Sequence, residues 1–195
     1  HTNECGPLKE GPLQSILKAG NRNLCFMAIG IRSAFSSIKK FPMENARDFP
    51  PALCDRLVGA GAIAVLVIDN VDHAVRVAEA LCKGGIEIAE VTMRTPSAAR
   101  SLALICKELP EVLPVAGTVL SPAQVDCAID SGAAMAVAPG LQQATLLHAQ
   151  QRGLPFAPGV LTPTEIEKAI ALGCRTLKFF PAATGGGLPF LNSVA

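Results

Sequence analysis

The sequence predicts an α/β fold of the (β/α)₈, or TIM-barrel, type, in which parallel strands are surrounded by helices. Short apolar runs recur from residue 62 onward with starts 20 to 26 residues apart, and amphipathic stretches of helical length lie between them. This alternation indicates a parallel sheet with right-handed crossovers. The tight connections favour a closed barrel over an open doubly wound sheet. The six predicted strands are Ala62–Ile68, Ile86–Thr92, Val112–Thr118, Ala134–Ala138, Leu154–Ala157 and Thr176–Phe180.

The predicted helices have recognisable faces and starts. In the stretch Val71–Lys83 a single face carries apolar side chains, namely Ala74, Val77, Ala78 and Leu81. Three helices are expected to begin where a hydroxyl residue precedes a proline, at Thr95-Pro96, Ser121-Pro122 and Thr162-Pro163. Two of these starts also fit a capping box, through Ser121 with Gln124 and Thr162 with Glu165.

The composition excludes several classes of protein. The chain has 195 residues with 17 Lys+Arg, 16 Asp+Glu, eight Phe and neither Trp nor Tyr. A nucleic-acid partner is not expected, because the chain has neither a basic surplus nor stacking aromatics. No membrane span is expected, because the long uncharged stretches are interrupted by glycine, proline or polar residues. Seven dispersed cysteines, an odd number, indicate a reducing compartment, and we therefore expect a cytoplasmic protein.

No metal or other cofactor is predicted. The three histidines are His1, His73 and His148, and none of them shares metal-ligand spacing with an acidic residue or a cysteine. A Gly-x-Gly-x-x-Gly dinucleotide motif does not follow the first strand, and the chain has no Gly-x-Ser-x-Gly nucleophile motif.

The chain divides near residue 50 into an N-terminal extension, residues 1–50, and a barrel domain, residues 51–195. The extension shows no sustained periodicity, and its segment Gly11–Pro42 contains no acidic residue and is rich in Ser, Lys and Arg. That composition is typical of an organellar transit peptide. The favoured alternative is a poorly ordered extension, or upstream sequence preceding a start at Met43.

Polar residues interrupt two of the apolar strands. In the second run, side-chain alternation places Glu90, Thr92 and Arg94 on the face that carries Ile86 and Ile88. If this face points into the barrel, Glu90 is a carboxylate in an apolar lumen. Such a group needs a shifted pKa or a cationic partner.

The sixth run carries Lys178, and lysine is among the residues least often buried. A lysine removed from water can exist as the free amine, which attacks carbonyl carbons. The alternative is a structural Lys178–Glu90 ion pair without chemistry. Taken alone, Thr118 after Gly117 is typical of a threonine at a strand end. Arg94 alone is typical of a solvated loop arginine. Together, Glu90, Arg94, Thr118 and Lys178 supply an acid/base, a carboxylate anchor, a hydroxyl and an amine at the strand ends where barrel enzymes place their chemistry.

Four motifs then carry a specific resemblance. They are Glu90-Val91-Thr92-Met93-Arg94-Thr95, Ala116-Gly117-Thr118-Val119-Leu120, Ala138-Pro139-Gly140 and Lys178-Phe179-Phe180-Pro181-Ala182. With them, residues 52 to 195 closely resemble the 2-keto-3-deoxy-6-phosphogluconate aldolase / 4-hydroxy-2-oxoglutarate aldolase family.

The resemblance implies a homotrimeric class I aldolase that acts on a small 2-oxo acid and needs no cofactor. Its reactions would be cleavage of 2-keto-3-deoxy-6-phosphogluconate to pyruvate and glyceraldehyde 3-phosphate, or of 4-hydroxy-2-oxoglutarate to pyruvate and glyoxylate. By motif match, Lys178 falls on the Schiff-base lysine and Glu90 on the general acid/base. Arg94 and Thr118 match positions that hold the pyruvyl carboxylate, and Pro139 matches a pocket-lining position.

Two features depart from the family pattern. Val115 stands where many members have a glycine. The chain also ends at Ala195, soon after the sixth strand, so the barrel is expected to be incomplete, with six of eight strands and without most of the phosphate site. The alternative to an active aldolase is therefore a truncated, catalytically inactive barrel that acts at most as an interaction or assembly subunit.

Overall fold

A computed structural model describes residues 25–26 and 49–194 of the chain. The strands are β1 (Cys25–Phe26), β2 (Ala64–Leu66), β3 (Ile88–Thr92), β4 (Leu113–Gly117), β5 (Met135–Val137), β6 (Phe156–Ala157), β7 (Gly159–Val160) and β8 (Lys178–Phe179). The helices are α1 (Pro51–Ala60), α2 (Ala74–Lys83), α3 (Ala98–Glu108), α4 (Pro122–Asp130), α5 (Gln143–Arg152), α6 (Pro163–Ala171) and α7 (Gly187–Val194), with a 3₁₀ turn at Val71–His73. Apart from β1, the predicted N-terminal extension lies almost wholly outside these described residues.

The sheet has the sequential parallel order that a (β/α) barrel requires. Strands β2 to β6 pair in chain order, each parallel to the next, and β1 adds an antiparallel edge beside β2. In this register, Glu90 of β3 lies between Val65 of β2 and Val115 of β4. The described residues thus form part of a barrel, and each of the six predicted strand segments contains an observed strand.

The predicted fifth strand, Leu154–Ala157, contains β6, but a further strand that was not predicted, β7, follows directly after Pro158. Proline has no backbone N–H to donate to a sheet ladder. The segment β6 pairs with β5, whereas β7 pairs with β8 in a separate two-stranded sheet. The Pro158 carbonyl accepts a hydrogen bond from the Lys178 backbone N–H at 2.9 Å, so Lys178 is still tied directly to this segment.

The apolar core consists of two clusters, one inside the barrel and one in the layer between the strands and the helices. The inner cluster contains Ile88, Val115, Met135, Val137 and other residues of the strands. It also includes Phe49 together with Leu53 and Cys54 of α1, so α1 packs over the amino-terminal end of the lumen. The larger outer cluster fills the space between the strands and helices α2 to α6.

The helix starts agree with the sequence in two places and differ in one. Ser121 and Thr162 cap α4 and α6, and Thr162 with Glu165 forms the full capping box. Thr95 does not cap a helix, since α3 begins only at Ala98 and the Thr95 hydroxyl instead donates to the Ile68 carbonyl at 2.6 Å. Val77, expected on the inward face of α2, is exposed.

Candidate active site

A buried acid–amine pair lies inside the barrel. Lys178 Nζ donates a hydrogen bond to Glu90 Oε1 at 3.3 Å, and the two residues are only 6% and 1% exposed. The pair spans two strands that are 88 positions apart in the chain. Side-chain alternation explains this meeting, because Leu177 belongs to the outer cluster and Lys178 therefore faces inward.

Glu90 fits in the lumen because its neighbour on β4 is a glycine. A Cβ placed on Gly117 would lie 2.3 Å from Glu90 Oε1, 2.5 Å from its Cγ and 2.7 Å from its Cδ. Real Cβ atoms do not approach other atoms so closely, and any other residue at this position would displace the carboxyl group. Gly117 therefore determines where Glu90 can sit.

Burial controls the charge state of Glu90. Desolvation raises the pKa of this carboxyl above its ordinary value, and the opposing effects are the charge and hydrogen bond of Lys178 and the more distant charge of Arg94. Glu90 Oε2 is buried and has no hydrogen-bond partner among residues 49–194. Lys178 thus holds the carboxyl group through Oε1, while Oε2 remains able to accept or donate a further hydrogen bond.

Aromatic rings lie on both faces of β8 near Lys178. Its Nζ lies 5.2 Å from the centroid of the Phe180 ring, within the range of a cation–π contact. On the opposite side of β8, Phe179 stacks on Phe190 of α7 with ring centroids 5.4 Å apart. Phe179 thus packs on α7, and side-chain alternation places its neighbour Lys178 on the other face of the strand.

The three other predicted site residues lie in the loops that follow their strands. Arg94 is exposed, just after β3, and acts on Glu90 only through its charge. Thr118 directly follows β4 with a φ of 56°, and it is half-buried. Pro139 comes after β5, and its carbonyl packs directly against Gly159 of β7, where an added Cβ would lie 2.2 Å away. The structure brings Glu90 and Lys178 into contact, whereas Arg94, Thr118 and Pro139 lie in the loops at the carboxyl ends of β3, β4 and β5.

Hydroxyl groups anchor the loop that carries Arg94. Thr92 Oγ1 donates to the Leu66 carbonyl at 3.0 Å, and the Thr95 and Ser97 hydroxyls both donate to the Ile68 carbonyl. Thr92 is inaccessible to solvent. The predicted face-sharing of Thr92 with Ile86 does not hold, because Ile86 precedes β3 and packs in the outer cluster.

Two features of this site were not recognised in the sequence as parts of a site. The Phe180 ring beside Lys178 was visible only as a strand aromatic. Gln124 was expected to complete a capping box with Ser121, but its side chain instead contacts the loops after β3 and β4. Glutamine at the third position of a helix gives no sequence signal for such a long-range contact.

Among residues 49–194, no group of three His, Cys, Asp or Glu side chains is arranged to hold a metal ion. Within the same range, no helix has the length and hydropathy needed to cross a membrane.

Comparison with known proteins agrees with the geometry. The family model described as KDPG and KHG aldolase matches residues 54–195. The KHG/KDPG aldolase of Escherichia coli (strain K12) is 38% identical over 133 residues, which cover 68% of this chain and 62% of that protein. The 2-dehydro-3-deoxy-phosphogluconate aldolase of Dickeya dadantii is 37% identical over 142 residues, which cover 72% of this chain and 67% of that protein.

Solved structures give the same result. A KDPG aldolase from Legionella pneumophila, in which pyruvate was captured as a covalent carbinolamine intermediate, superposes with a TM-score of 0.64 at 39% identity, covering 67% of this chain and 63% of that one. The Zymomonas mobilis ZM4 aldolase with 3-phosphoglycerate superposes with a TM-score of 0.64 at 37% identity, and the match covers 78% of this chain and 66% of that one. The chain spans somewhat less than two thirds of the length of the Escherichia coli and Legionella relatives. Its fold and the extent of the family match show that the chain belongs to the KDPG and KHG aldolase family.

Proposed function

We propose that this protein is a class I aldolase that cleaves 2-keto-3-deoxy-6-phosphogluconate to pyruvate and glyceraldehyde 3-phosphate, or 4-hydroxy-2-oxoglutarate to pyruvate and glyoxylate. The observation that carries the proposal is the buried contact of 3.3 Å between Lys178 Nζ and Glu90 Oε1. The contact supports the proposal because it places an amine and a carboxyl group together inside one apolar lumen, where they are proposed to act as nucleophile and proton carrier. The carbinolamine captured in the Legionella relative supports the same chemistry here.

Lys178 is proposed to act as the nucleophile. Lys178 passes a proton to Glu90, and its neutral amine then adds to the C2 carbonyl carbon of the substrate. The proton that the nitrogen loses on addition is carried through Glu90 to the carbonyl oxygen, which gives a carbinolamine. Loss of water, with the leaving hydroxyl protonated by Glu90, then gives a protonated imine. The positive nitrogen of this imine accepts electron density, which is the purpose of covalent catalysis by lysine.

Glu90 is proposed to carry the protons of the cleavage step. Through a water molecule its carboxylate removes the proton of the C4 hydroxyl, the C3–C4 bond breaks, and the bonding pair moves toward the imine nitrogen. An aldehyde leaves and an enamine remains. Protonation at C3 restores the imine, and hydrolysis releases pyruvate and the free amine. The raised pKa of Glu90 suits a group that must act in turn as base and acid.

Arg94 and Thr118 are proposed to bind the substrate carboxylate, and Pro139 to line the pocket. An arginine can donate two parallel hydrogen bonds to a carboxylate, and a threonine hydroxyl can add a third. The two residues follow adjacent strands at the end of the barrel that holds the reactive pair. The proposed partners are thus a small 2-oxo acid and further copies of the chain in a homotrimer, and the cytoplasmic location stays a prediction.

Reductive trapping tests the proposal directly. The protein is incubated with pyruvate and borohydride in the presence of a chelator, and the modified peptide is located by mass spectrometry. We expect a chelator-insensitive adduct at Lys178, none in Lys178→Arg, and an unchanged yield in the control Lys168→Arg, which alters an exposed lysine of α6. A folded wild-type protein without any adduct would instead indicate a non-catalytic barrel.

A further inference from the structure

Gln124 joins the two loops that carry Arg94 and Thr118. Its Nε2 donates a hydrogen bond to the Met93 carbonyl at 3.3 Å, and its Oε1 accepts one from the Leu120 backbone N–H at 2.7 Å. Met93 directly precedes Arg94, and Leu120 comes two residues after Thr118. A carbonyl group can only accept and a backbone N–H can only donate, so both contacts fix the same orientation of the side-chain amide.

The turn at Thr118 needs this kind of support. With a φ of 56°, Thr118 adopts the left-handed conformation that β-branched residues rarely take. Such a conformation persists only where neighbouring contacts enforce it. The Gly117 carbonyl accepts from the Met93 N–H at 2.7 Å, and the Val119 N–H donates to the Val137 carbonyl at 3.1 Å. The bond from Leu120 to Gln124 fixes the far side of the turn.

The start of α4 aims Gln124 at these loops. Ser121 caps the helix by accepting from the Gln124 backbone N–H at 3.3 Å, which sets Gln124 in the first turn. In a full capping box the Gln124 side chain would bond to the Ser121 N–H. Here it reaches one residue further, to Leu120, and across to Met93. The side chain therefore ties the loop after β3 to the loop after β4.

We propose that Gln124 is a positioning residue for carboxylate recognition, which holds Arg94 and the Thr118 turn at the separation needed to bind the carboxylate of a 2-oxo acid. The proposal rests on the proposed function, because it takes Arg94 and Thr118 as carboxylate ligands. Gln124 itself need not touch the substrate.

The matched variants are Gln124→Met and Gln150→Met. Methionine keeps the length of glutamine and loses both hydrogen bonds. Gln150 is an equivalent control, since its Nε2 donates to the Leu172 carbonyl at 2.9 Å in a part of the fold that contains none of the site residues. Both variants lose a glutamine-to-carbonyl bond, so a purely structural effect would appear in both.

The measurement is the pyruvate concentration that half-saturates borohydride trapping at Lys178, compared with the same value for acetone, which has the ketone but no carboxylate. In Gln124→Met we expect the pyruvate value to rise about tenfold, a typical effect of a lost hydrogen bond, with the adduct yield at saturation and the acetone value unchanged. Gln150→Met should change neither value. Gln124→Glu, which retains the acceptor but places a carboxylate oxygen against the Met93 carbonyl, should also weaken pyruvate binding.

The outcomes separate the two proposals. If the wild-type protein forms an adduct and Gln124→Met matches Gln150→Met, or shifts pyruvate and acetone equally, the positioning role is wrong and the proposed function stands. If the folded wild-type protein forms no adduct at Lys178, the proposed function fails and the role of Gln124 fails with it. A shift confined to pyruvate and to the Gln124 variants supports the positioning role.

Discussion

Substitution of Gly117 by alanine should disable the site without removing any catalytic group. Gly117 does not have a positive φ, so alanine suits its backbone, and the only obstacle is the Cβ itself. That atom would lie 2.3 to 2.7 Å from three atoms of the Glu90 side chain. The variant therefore tests whether the position of Glu90 matters.

The size of the effect follows from the distances. Non-bonded carbon atoms prefer about 3.5 to 4.0 Å, so the Glu90 carboxyl must retreat by about 1 Å. A misplacement of about 1 Å can cost on the order of 10²-fold in rate. Overpacking a filled core also costs about 1 to 3 kcal/mol of stability. We therefore expect kcat/KM for aldol cleavage to fall by roughly 10²-fold in a protein that remains folded.

The assay is pyruvate release coupled to its reduction by a dehydrogenase, together with urea unfolding of each variant. Gly59→Ala is the control, because a Cβ at this α1 glycine has no heavy atom within 4 Å. It should keep full activity and gain roughly 0.5 to 1 kcal/mol from lower backbone entropy in the unfolded chain. In a Glu90→Asp background, where the side chain is one carbon shorter, Gly117→Ala should destabilise the fold less. A folded Gly117→Ala protein within about threefold of wild-type activity would refute the reasoning, since a 1 Å displacement predicts a much larger loss.

Three further predictions concern charge, capping and thiol reactivity. Glu90→Gln should slow cleavage by about 10² to 10⁴-fold. Because burial raises the Glu90 pKa in the folded state, the unfolding free energy of wild type relative to this variant should also fall as pH rises above 4.5. A difference between the two proteins that stays constant with pH in urea titrations would contradict this. Thr162→Ala removes the hydroxyl that caps α6 and should cost about 1 kcal/mol in urea unfolding, whereas the exposed Thr164→Ala should cost less. Burial raises the pKa of Cys174 to about 12, so iodoacetamide at neutral pH should label it more slowly than half-buried Cys127, as peptide mapping would show.

The parts of the fold that follow from local periodicity could be predicted from the sequence. Alternation along β3 allowed Glu90 to be placed on an inward face, where a carboxylate needs a shifted pKa or a cationic partner. An ion pair with Lys178 was therefore one of the expected outcomes. The helix starts at Ser121 and Thr162 were equally predictable, since a capping residue and a proline act within a single turn.

The features that depend on tertiary packing could not be predicted. The strand β7 after Pro158 was not predicted, because its pairing with β8, while β6 pairs with β5, depends on which neighbour each segment meets. Val77 fits the apolar face of α2 by spacing, yet it lies at the margin of that face, where the neighbouring elements leave it exposed. Thr95 looked like a cap, and the nearby Ile68 carbonyl captured its hydroxyl instead.

The two oxygens of Glu90 have different surroundings, and the proposed mechanism gives them different tasks. Oε1 is held by Lys178, and that contact directs the amine toward the lumen. Oε2 is buried and has no partner among residues 49–194, so in the proposed mechanism it is the oxygen that exchanges a proton with a substrate hydroxyl or an intervening water. An ordinary exposed carboxyl would be almost fully ionised at neutral pH and a weak proton donor. Desolvation in the lumen raises the pKa of Glu90 in spite of two nearby cations. We therefore expect that the desolvation that makes the pair costly to bury also allows one carboxyl to take protons and return them in the proposed reaction.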